Sequence, residues 1–498
     1  VHRVVLKNLT LLHKSYSADL LQVLIQTAET SGAMMYLVGG TIRDCLLGLV
    51  SHDLDLAVSG QALPVVKILQ RRLGGGTLVD LSGPEDEAVR LVWRGEQIDI
   101  AAFRAEAQTI EEDLRLRDFT INAMAVPVAE LGSEPFPALI DPTGGLTDLQ
   151  EGWIRRCAGA FAADPLRMLR GYRLAATLGF QLDDETKEAI GRHASRIVDA
   201  AAERISYELK LIFDSTRTAE TLRDMGETGL LRQLLPELYR GEGVAQPEFH
   251  HLDVMEHCFL ALEMMEAVLA EPTRFFPGHG EKITGYLQDE RSRRCLKWAA
   301  LLHDIGKPAT REIRADREGR VTFYRHDEMG RDLCKRYAER SKWSRAETEL
   351  VAGLVEMHMH PFHLCNVQRE GRVSKRAAMK LSKRAGDTLV GLFLLAMSDS
   401  LASRGEKKPE RMEEELVTLF ATVSTIYAED IAPVLRGPRL LTGRDLIEAC
   451  HLEPGPLFSE ILEELEITRV EGTVVDRQTA LAWVNEFLQA KNRAKRSG

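Results

Sequence analysis

Asp53 and Asp55 stand one leucine apart in the run HDLDLAV, and a Gly39-Gly40 pair closes the apolar run YLVGG a short distance upstream. In a strand, residues i and i+2 face the same side. The two carboxylates therefore share one face, while Leu54, Leu56 and Val58 share the other and can enter a core. Carboxylates held this close repel, and a divalent cation relieves the repulsion. Asp99, between Ile98 and Ile100 in EQIDIAAF, repeats the alternation. Three carboxylates on neighbouring strands suit Mg2+ ions that assist in-line attack of a hydroxyl on an α-phosphate. A strand with one wet face shows the same alternation, so Asp-x-Asp alone does not make a site. The glycines add the second part. Glycine lets backbone approach a ligand closely, and a helix starting near Thr41 would turn unpaired N–H groups toward an anion. Arg43, one turn in, adds charge. Anion turn, short helix and then Asp-x-Asp is the order that sets a nucleoside triphosphate beside two metal ions.

Two further constellations lie downstream. Asp164 and Arg167, at i and i+3 in ADPLRMLRGYRLAATLGF, are expected on one helix face. A carboxylate accepts from an exocyclic amino group, and a guanidinium donates to the neighbouring ring nitrogen. Cytosine and adenine offer that arrangement; uracil and guanine offer the reverse. The second constellation is a series of histidines and aspartates: FHHLDVMEH, LLHDIGKPA, FYRHDEMG, VEMHMHP and LAMSDSLASRG. His303-Asp304 follows the apolar run LKWAALL and is expected at a buried helix. Imidazole and carboxylate donors together suit Mn2+, Fe2+, Ni2+ or Mg2+ rather than a thiolate zinc site, and such a site can activate water against a phosphoester.

These residues need elements to position them. Six β-like runs (YLVGG, HDLDLAV, GTLVDL, AVRLVW, EQIDIAAF and NAMAVPV) fall within 36–145, mixed with helical stretches. Residues 1–30 are helical in periodicity, and from about 148 onward the pattern is almost wholly helical. The turn-rich DPTGGLTDLQ marks the change. The expected fold class is α+β: a head at 1–147, a helical neck and body at 148–248, a histidine-rich domain at 249–405 and a helical tail at 406–498.

The chain has 498 residues, too many for one hydrophobic core. No apolar run reaches the length of a membrane span, so no membrane partner is expected. Seven cysteines without a CxxC pair argue against a zinc ribbon or disulfide framework and for a reducing, cytoplasmic setting. The net charge of −11 argues weakly against a nucleic-acid partner, but charge can be segregated. Residues 369–384 carry seven basic side chains and one acidic one, and the chain ends in KNRAKRSG. The tail reads as a frayed terminus.

The motifs LVGGTIRDCLLG…HDLDLAV, DLRLRDFTINAMA, IDPTGGLTDL and DPLRMLRGYRLAATLGF, in this order, resemble the class II CCA-adding tRNA nucleotidyltransferases and bacterial poly(A) polymerases. The resemblance implies a polymerase-β-like head followed by helical neck, body and tail, with CTP, ATP and tRNA as partners. It implies Gly39, Gly40 and Arg43 at the triphosphate and Mg2+ at Asp53 and Asp55; Asp99 is the third candidate catalytic carboxylate by its strand alternation. It implies Arg117, Asp118 and Asn122 at the ribose, and Asp164, Arg167 and Arg170 at the base. The downstream half resembles HD phosphohydrolases, which implies His257, His303, Asp304 and Asp399 as metal ligands, joined by His326 and His358 (or His360). Some members carry such a domain with phosphatase or 2′,3′-cyclic phosphodiesterase activity. The tail, from LLTGRDLIEAC onward, resembles the part that meets the tRNA elbow, to which the basic 369–384 stretch would contribute.

Two departures stand out. Leu116-Arg117-Asp118 replaces the usual Arg-Arg-Asp, and Ala163-Asp164 the usual Glu-Asp. Only six residues separate Arg104 from Glu111, where CCA-adding members have a long flexible loop. The short loop resembles members that add CC and leave the last A to a partner enzyme. Poly(A) polymerase and ppGpp synthetase/hydrolase are the alternative readings, the latter disfavoured because its HD domain comes first.

Overall fold

The computed structural model describes residues 12–50, 53–82, 87–131, 138–247, 249–317 and 319–496. The first part of the N-terminal helical run and most of the basic tail's side chains lie outside the described residues. The chain divides into two compact units: residues 1–217 with 221–234, and residues 218–220 with 235–498.

All six expected strands form, and they make one sheet. β1 (Met35–Val38), β2 (Asp53–Val58), β3 (Thr77–Asp80), β4 (Ala88–Trp93), β5 (Glu96–Ala102) and β6 (Ala125–Pro127) are ordered β3-β4-β5-β2-β1-β6. β2 and β5 are the parallel pair, with Leu54 opposite Ile98, Asp55 opposite Asp99 and Leu56 opposite Ile100. β4 and β5 form a hairpin through Arg94-Gly95, both at positive φ, which sets Leu91 against Ile98 and Val89 against Ile100. One face thus carries a buried aliphatic row, Val89, Leu91, Ile98, Ile100, Leu54 and Leu56. Period-2 geometry puts the charged residues between them on the other face.

The helix after β1 spans Gly39–Leu47, starting at the glycines themselves rather than at Thr41. Gly39 has a φ of +63°, a region that L side chains avoid. The segment after β5 is short and pinned. The backbone N–H and the guanidinium of Arg104 both donate to Asp113 Oδ1, at 2.9 and 3.1 Å. Thr109 and Glu112 form a capping box on the helix Ile110–Arg115. Asp113 is fully buried and also accepts from Arg117 Nε and Nη2, at 3.2 and 3.0 Å. Gly145 closes the head against the neck: a Cβ there would lie 2.0 Å from the Thr120 carbonyl oxygen.

Among the described residues the elements beyond β6 are helical apart from two small two-stranded sheets, Trp153–Ile154 with Gln181–Leu182 and Glu312–Arg314 with Arg320–Thr322, which periodicity did not predict. In the second unit, Val254–Ala270, Glu290–Leu302 and Leu389–Ala402 pack on one another. Leu389–Ala402 is apolar around nearly its whole circumference because nearly all of it is buried. For that reason the helical stretch Lys375–Ala402 reaches the length and hydropathy of a membrane span, contrary to expectation. Within the fold, 78% of its apolar window is buried.

The basic stretch 369–384 spends its charge internally. Arg369 pairs with Glu415, Lys375 with Asp430, Arg376 with Glu464, Lys383 with Glu466 and Arg384 with Glu356. Lys375, Arg376 and Lys383 tie the helix Lys375–Ala385 to later elements, Arg384 ties it to the earlier helix Arg345–Met357, and Arg369 lies on the helix before it, so the stretch as a whole does not present the open basic face expected of an RNA contact.

Burial acts to raise the Asp113 carboxyl pKa, but the guanidiniums of Arg117 and Arg104 outweigh it and hold it below the usual range. A carboxyl depressed in the folded state contributes its stability above the unfolded pKa, and loses it as pH falls through the folded value. Asp113→Asn leaves Arg117 buried without its counter-charge. It is expected to cost about 3–5 kcal/mol at pH 7 in urea unfolding, with a gap from the parent that narrows below about pH 4.

Candidate active site and candidate metal centre

In the first unit, the sheet register and the glycine turn bring the anion turn and a carboxylate together. Asp55 Oδ2 accepts the Gly40 backbone N–H at 2.9 Å. A Cβ on Gly39 would lie 3.0 Å from that oxygen and 3.3 Å from Arg117 Nη1. Thr41 fixes β2 behind the turn: its hydroxyl accepts from Asp55 N at 2.7 Å and donates to the Asp53 carbonyl at 3.3 Å. Asp53 is exposed at the start of β2, and Asp55, two residues on, projects to the same face.

Burial, with the like charge of Asp99, pushes the Asp55 carboxyl pKa up, against the opposing pull of Arg117. A half-buried carboxylate beside another carboxylate is an environment that a divalent cation stabilises, and the donors are hard oxygens. The residues fit a Mg2+ site. Both oxygens of Asp99 are held by Arg90, Nε to Oδ1 and Nη2 to Oδ2, each at 2.7 Å.

Arg43, Asn122, Asp118 and Arg170 form one chain of contacts. Arg43 Nη1 donates to Asn122 Oδ1 at 2.8 Å, and Asn122 Nδ2 donates to Asp118 Oδ1 at 3.1 Å. Arg170 Nη2 lies 2.8 Å from Asp118 Oδ2. Burial would raise the Asp118 carboxyl pKa, but Arg170 and the Asn122 amide outweigh it and hold it well below the carboxylate range. Burial, with the like charge of Arg104, lowers Arg117 to about 10.

Asp164 and Arg167 are not on one helix face as expected. Asp164 precedes Pro165, and a residue before proline is driven out of the α region; its φ is −145°. It ends the short helix Ala160–Ala163, and its Oδ1 accepts the N–H of Leu166, the first residue of the helix Leu166–Leu178, at 3.0 Å. Its Oδ2 is held by Arg204 at 2.8 Å. Arg167, on that helix, donates to the Leu116 carbonyl at 3.1 Å. The two side chains thus keep separate partners.

In the second unit, all six expected HD residues converge. His257 lies on Val254–Ala270, His303 and Asp304 just past Glu290–Leu302, His326 at the start of His326–Arg340, His358 just past Arg345–Met357, and Asp399 on Leu389–Ala402. They make two candidate metal-binding groups, His257-His303-Asp399 and Asp304-His326-His358. His257 Nε2 is 3.2 Å from His303 Nε2 and 3.1 Å from Asp399 Oδ1. His326 Nε2 is 3.2 Å from His358 Nε2.

Asp304 joins the groups. Its Oδ2 is 3.2 Å from His303 Nε2, and its buried Oδ1, without a hydrogen-bond partner, is 3.4 Å from His326 Nε2 and 3.6 Å from His358 Nε2. Each of His303, His326 and His358 turns its Nδ1 to a backbone carbonyl, of Ala300, Phe323 and Val355, which leaves Nε2 aimed inward. Imidazole nitrogens, carboxylates and one orphaned oxygen at the junction fit a pair of divalent cations. Burial works to lower His303, but Asp304 and Asp399 outweigh it and raise it to about 9. His360, the alternative to His358, instead meets Arg384 at 2.9 Å.

A cavity of about 800 Å³ opens onto this cluster, with Lys307, Arg369, Lys408, Phe323, Tyr324 and Phe362 in its wall. Arg90, Arg204, Arg104 and Lys307 were not singled out from the sequence. For Arg90 a signal existed: a two-residue Arg94-Gly95 turn fixes the hairpin register and sets Arg90 opposite Asp99.

Known proteins share the domains that carry both sites. Residues 35–155 match the Poly A polymerase head domain, 179–240 the probable RNA and SrmB-binding site of polymerase A, and 254–388 the HD domain. An A-adding tRNA nucleotidyltransferase of Deinococcus radiodurans is 31% identical over 461 residues, covering 91% of this chain and 95% of the relative. A CC-adding tRNA nucleotidyltransferase of Thermus thermophilus is 32% identical over 459 residues, covering 90% and 92%. The fold is shared with a Thermotoga maritima CCA-adding enzyme solved in complex with tRNA, with a TM-score of 0.62, 21% identity and coverage of 96% and 98%. The chain is a nucleotidyltransferase and belongs to the tRNA nucleotidyltransferase family.

Proposed function

We propose that this chain extends tRNA 3′ ends with CTP-derived nucleotides, without a nucleic-acid template, and leaves the terminal A to another enzyme. The observation that supports transfer most directly is the contact of Asp55 with the Gly39-Gly40 turn, which makes the anion turn and the carboxylates one site. In this reading Gly39, Gly40 and Arg43 hold the triphosphate, and Asp53 and Asp55 hold Mg2+. When bound, Mg2+ would neutralise charge on the phosphates and favour loss of the proton from the attacking 3′-hydroxyl. Arg117, Asp118 and Asn122 take the ribose, and Asp164, Arg167 and Arg170 take the base. The tRNA 3′-oxygen bonds to the α-phosphorus and pyrophosphate leaves. The four-part division into head, neck and body, HD domain and tail, and a cytoplasmic setting with seven free cysteines, belong to the same reading. Poly(A) and ppGpp synthesis are not favoured, because relatives matched over nearly their whole length are named for tRNA.

The restriction to C is supported by the pinned 103–109 segment. A loop held by Arg104–Asp113 and by the Thr109–Glu112 capping box has little freedom to reorient Asp164 and Arg167. The D. radiodurans relative favours a second reading, addition of A alone. In the HD half, the two metal groups and the cavity beside them support hydrolysis of phosphoesters with Mn2+, Ni2+, Fe2+ or Mg2+.

Truncated tRNA ends incubated with one labelled nucleotide at a time are expected to gain C and stop. A product ending in CCA refutes the restriction, and addition of A only to CC-ended tRNA selects the second reading. Asp55→Asn is expected to lower incorporation roughly 100-fold or more without lowering the unfolding temperature, since it removes a half-buried charge that faces the like charge of Asp99. Ni2+ or Mn2+ is expected to raise the unfolding temperature and support hydrolysis of a 2′,3′-cyclic nucleotide. His303→Ala and Asp304→Ala should lose both effects, and absence of metal-dependent turnover in the parent would leave this half a scaffold.

A further inference from the structure

The register across three adjacent strands lines up Arg90 on β4, Asp99 on β5 and Asp55 on β2, each directly opposite the next. The row ends at the glycine turn, where Gly40 N–H meets Asp55. Arg90 grips Asp99 through two parallel hydrogen bonds of 2.7 Å, one to each oxygen. This fork is the strongest geometry available to a carboxylate and a guanidinium, and the guanidinium stays charged at any working pH. Asp53 and Asp55 lie close enough to add to the field on Arg90. For Asp99 to turn an oxygen to a cation at Asp55, it would have to give up part of the fork.

We propose that Arg90 is a positioning residue that withholds Asp99 from the head's divalent-cation site, so that Asp53 and Asp55 alone take the ion. The inference rests on the reading of Asp53 and Asp55 as its ligands. Arg90 sets the affinity of the site in two ways: it occupies a third ready carboxylate, and it adds a fixed positive charge beside the ion. A two-carboxylate site binds more weakly and releases its ion more readily than a three-carboxylate one.

The test is Mn2+ binding to the full chain without nucleotide or tRNA, read from the electron paramagnetic resonance signal of free Mn2+. His303→Ala/Asp304→Ala serves as the background, to remove binding by the HD cluster. Arg90→Gln is expected to tighten Mn2+ binding about tenfold. Adding Asp99→Asn should cancel most of the gain, because the freed carboxylate is its source. Arg90→Lys keeps the charge and loses the fork; it is expected to give a smaller tightening and stands in if the glutamine variant does not fold. No tightening in either variant overturns the proposal, as does a gain that survives Asp99→Asn in full. Asp55→Asn separates the two levels of inference. If it abolishes Mn2+ binding, the underlying reading stands whatever Arg90 does; if it leaves binding unchanged, that reading fails.

Discussion

Negative charge crowded into a small volume is the constraint on which both halves of this protein depend. Asp55 faces Asp99 across β2 and β5, and Asp304 and Asp399 crowd into one buried cluster. Carboxylates in such places persist only with positive partners. In the head these are a helix N-terminus and the guanidiniums of Arg90 and Arg117. In the HD half they are inward-facing imidazoles and Lys307, whose ammonium reaches both Asp304 and Gln246. The surrounding fold reads as the scaffold for these neutralisations. The aliphatic rows behind β2 and β5 fix the register, and backbone carbonyls fix the rings of His303, His326 and His358.

The two halves solve the problem differently. The head's acids come from neighbouring strands, so their spacing is inherited from sheet geometry; Asp55 meets the Gly40 N–H, while both oxygens of Asp99 are taken up by Arg90. The HD residues come from five helices whose ends or faces converge, with Asp304 shared between both groups. Removing Asp304 therefore disturbs both halves of its cluster at once, whereas a change at Asp53 leaves the Asp99–Arg90 pair intact.

Much of this was legible in the sequence because local periodicity and local order carry it. The six strands follow from short β-like runs, and the HD residues follow from the resemblance to HD phosphohydrolases and from the apolar run before His303. What was hidden depends on events beyond periodicity. Pro165 takes Asp164 off the helix that Arg167 occupies, although the proline is plain in the sequence. The choice of His358 over His360 depends on where the helix Arg345–Met357 ends. The basic look of 369–384 disappears once Glu415, Asp430, Glu464 and Glu466 are folded against it, since charge segregation in sequence says nothing about partners far along the chain. Arg90 was within reach, because a two-residue turn dictates its opposite number.

The pinned segment between β5 and the helix Ile110–Arg115 bears on how such enzymes diverge. Asp113 is clamped on one side by Arg104, at the mouth of the segment, and on the other by Arg117, beside the glycine turn. Lengthening the segment by splicing is therefore not a neutral change of linker. An insertion placed between Arg104 and Thr109 preserves both clamps; one that displaces Arg104 unseats Asp113 and, through Arg117, loosens the floor of the triphosphate turn. New reach at this point of the chain is open to evolution or design along only a narrow corridor of four residues, 105–108.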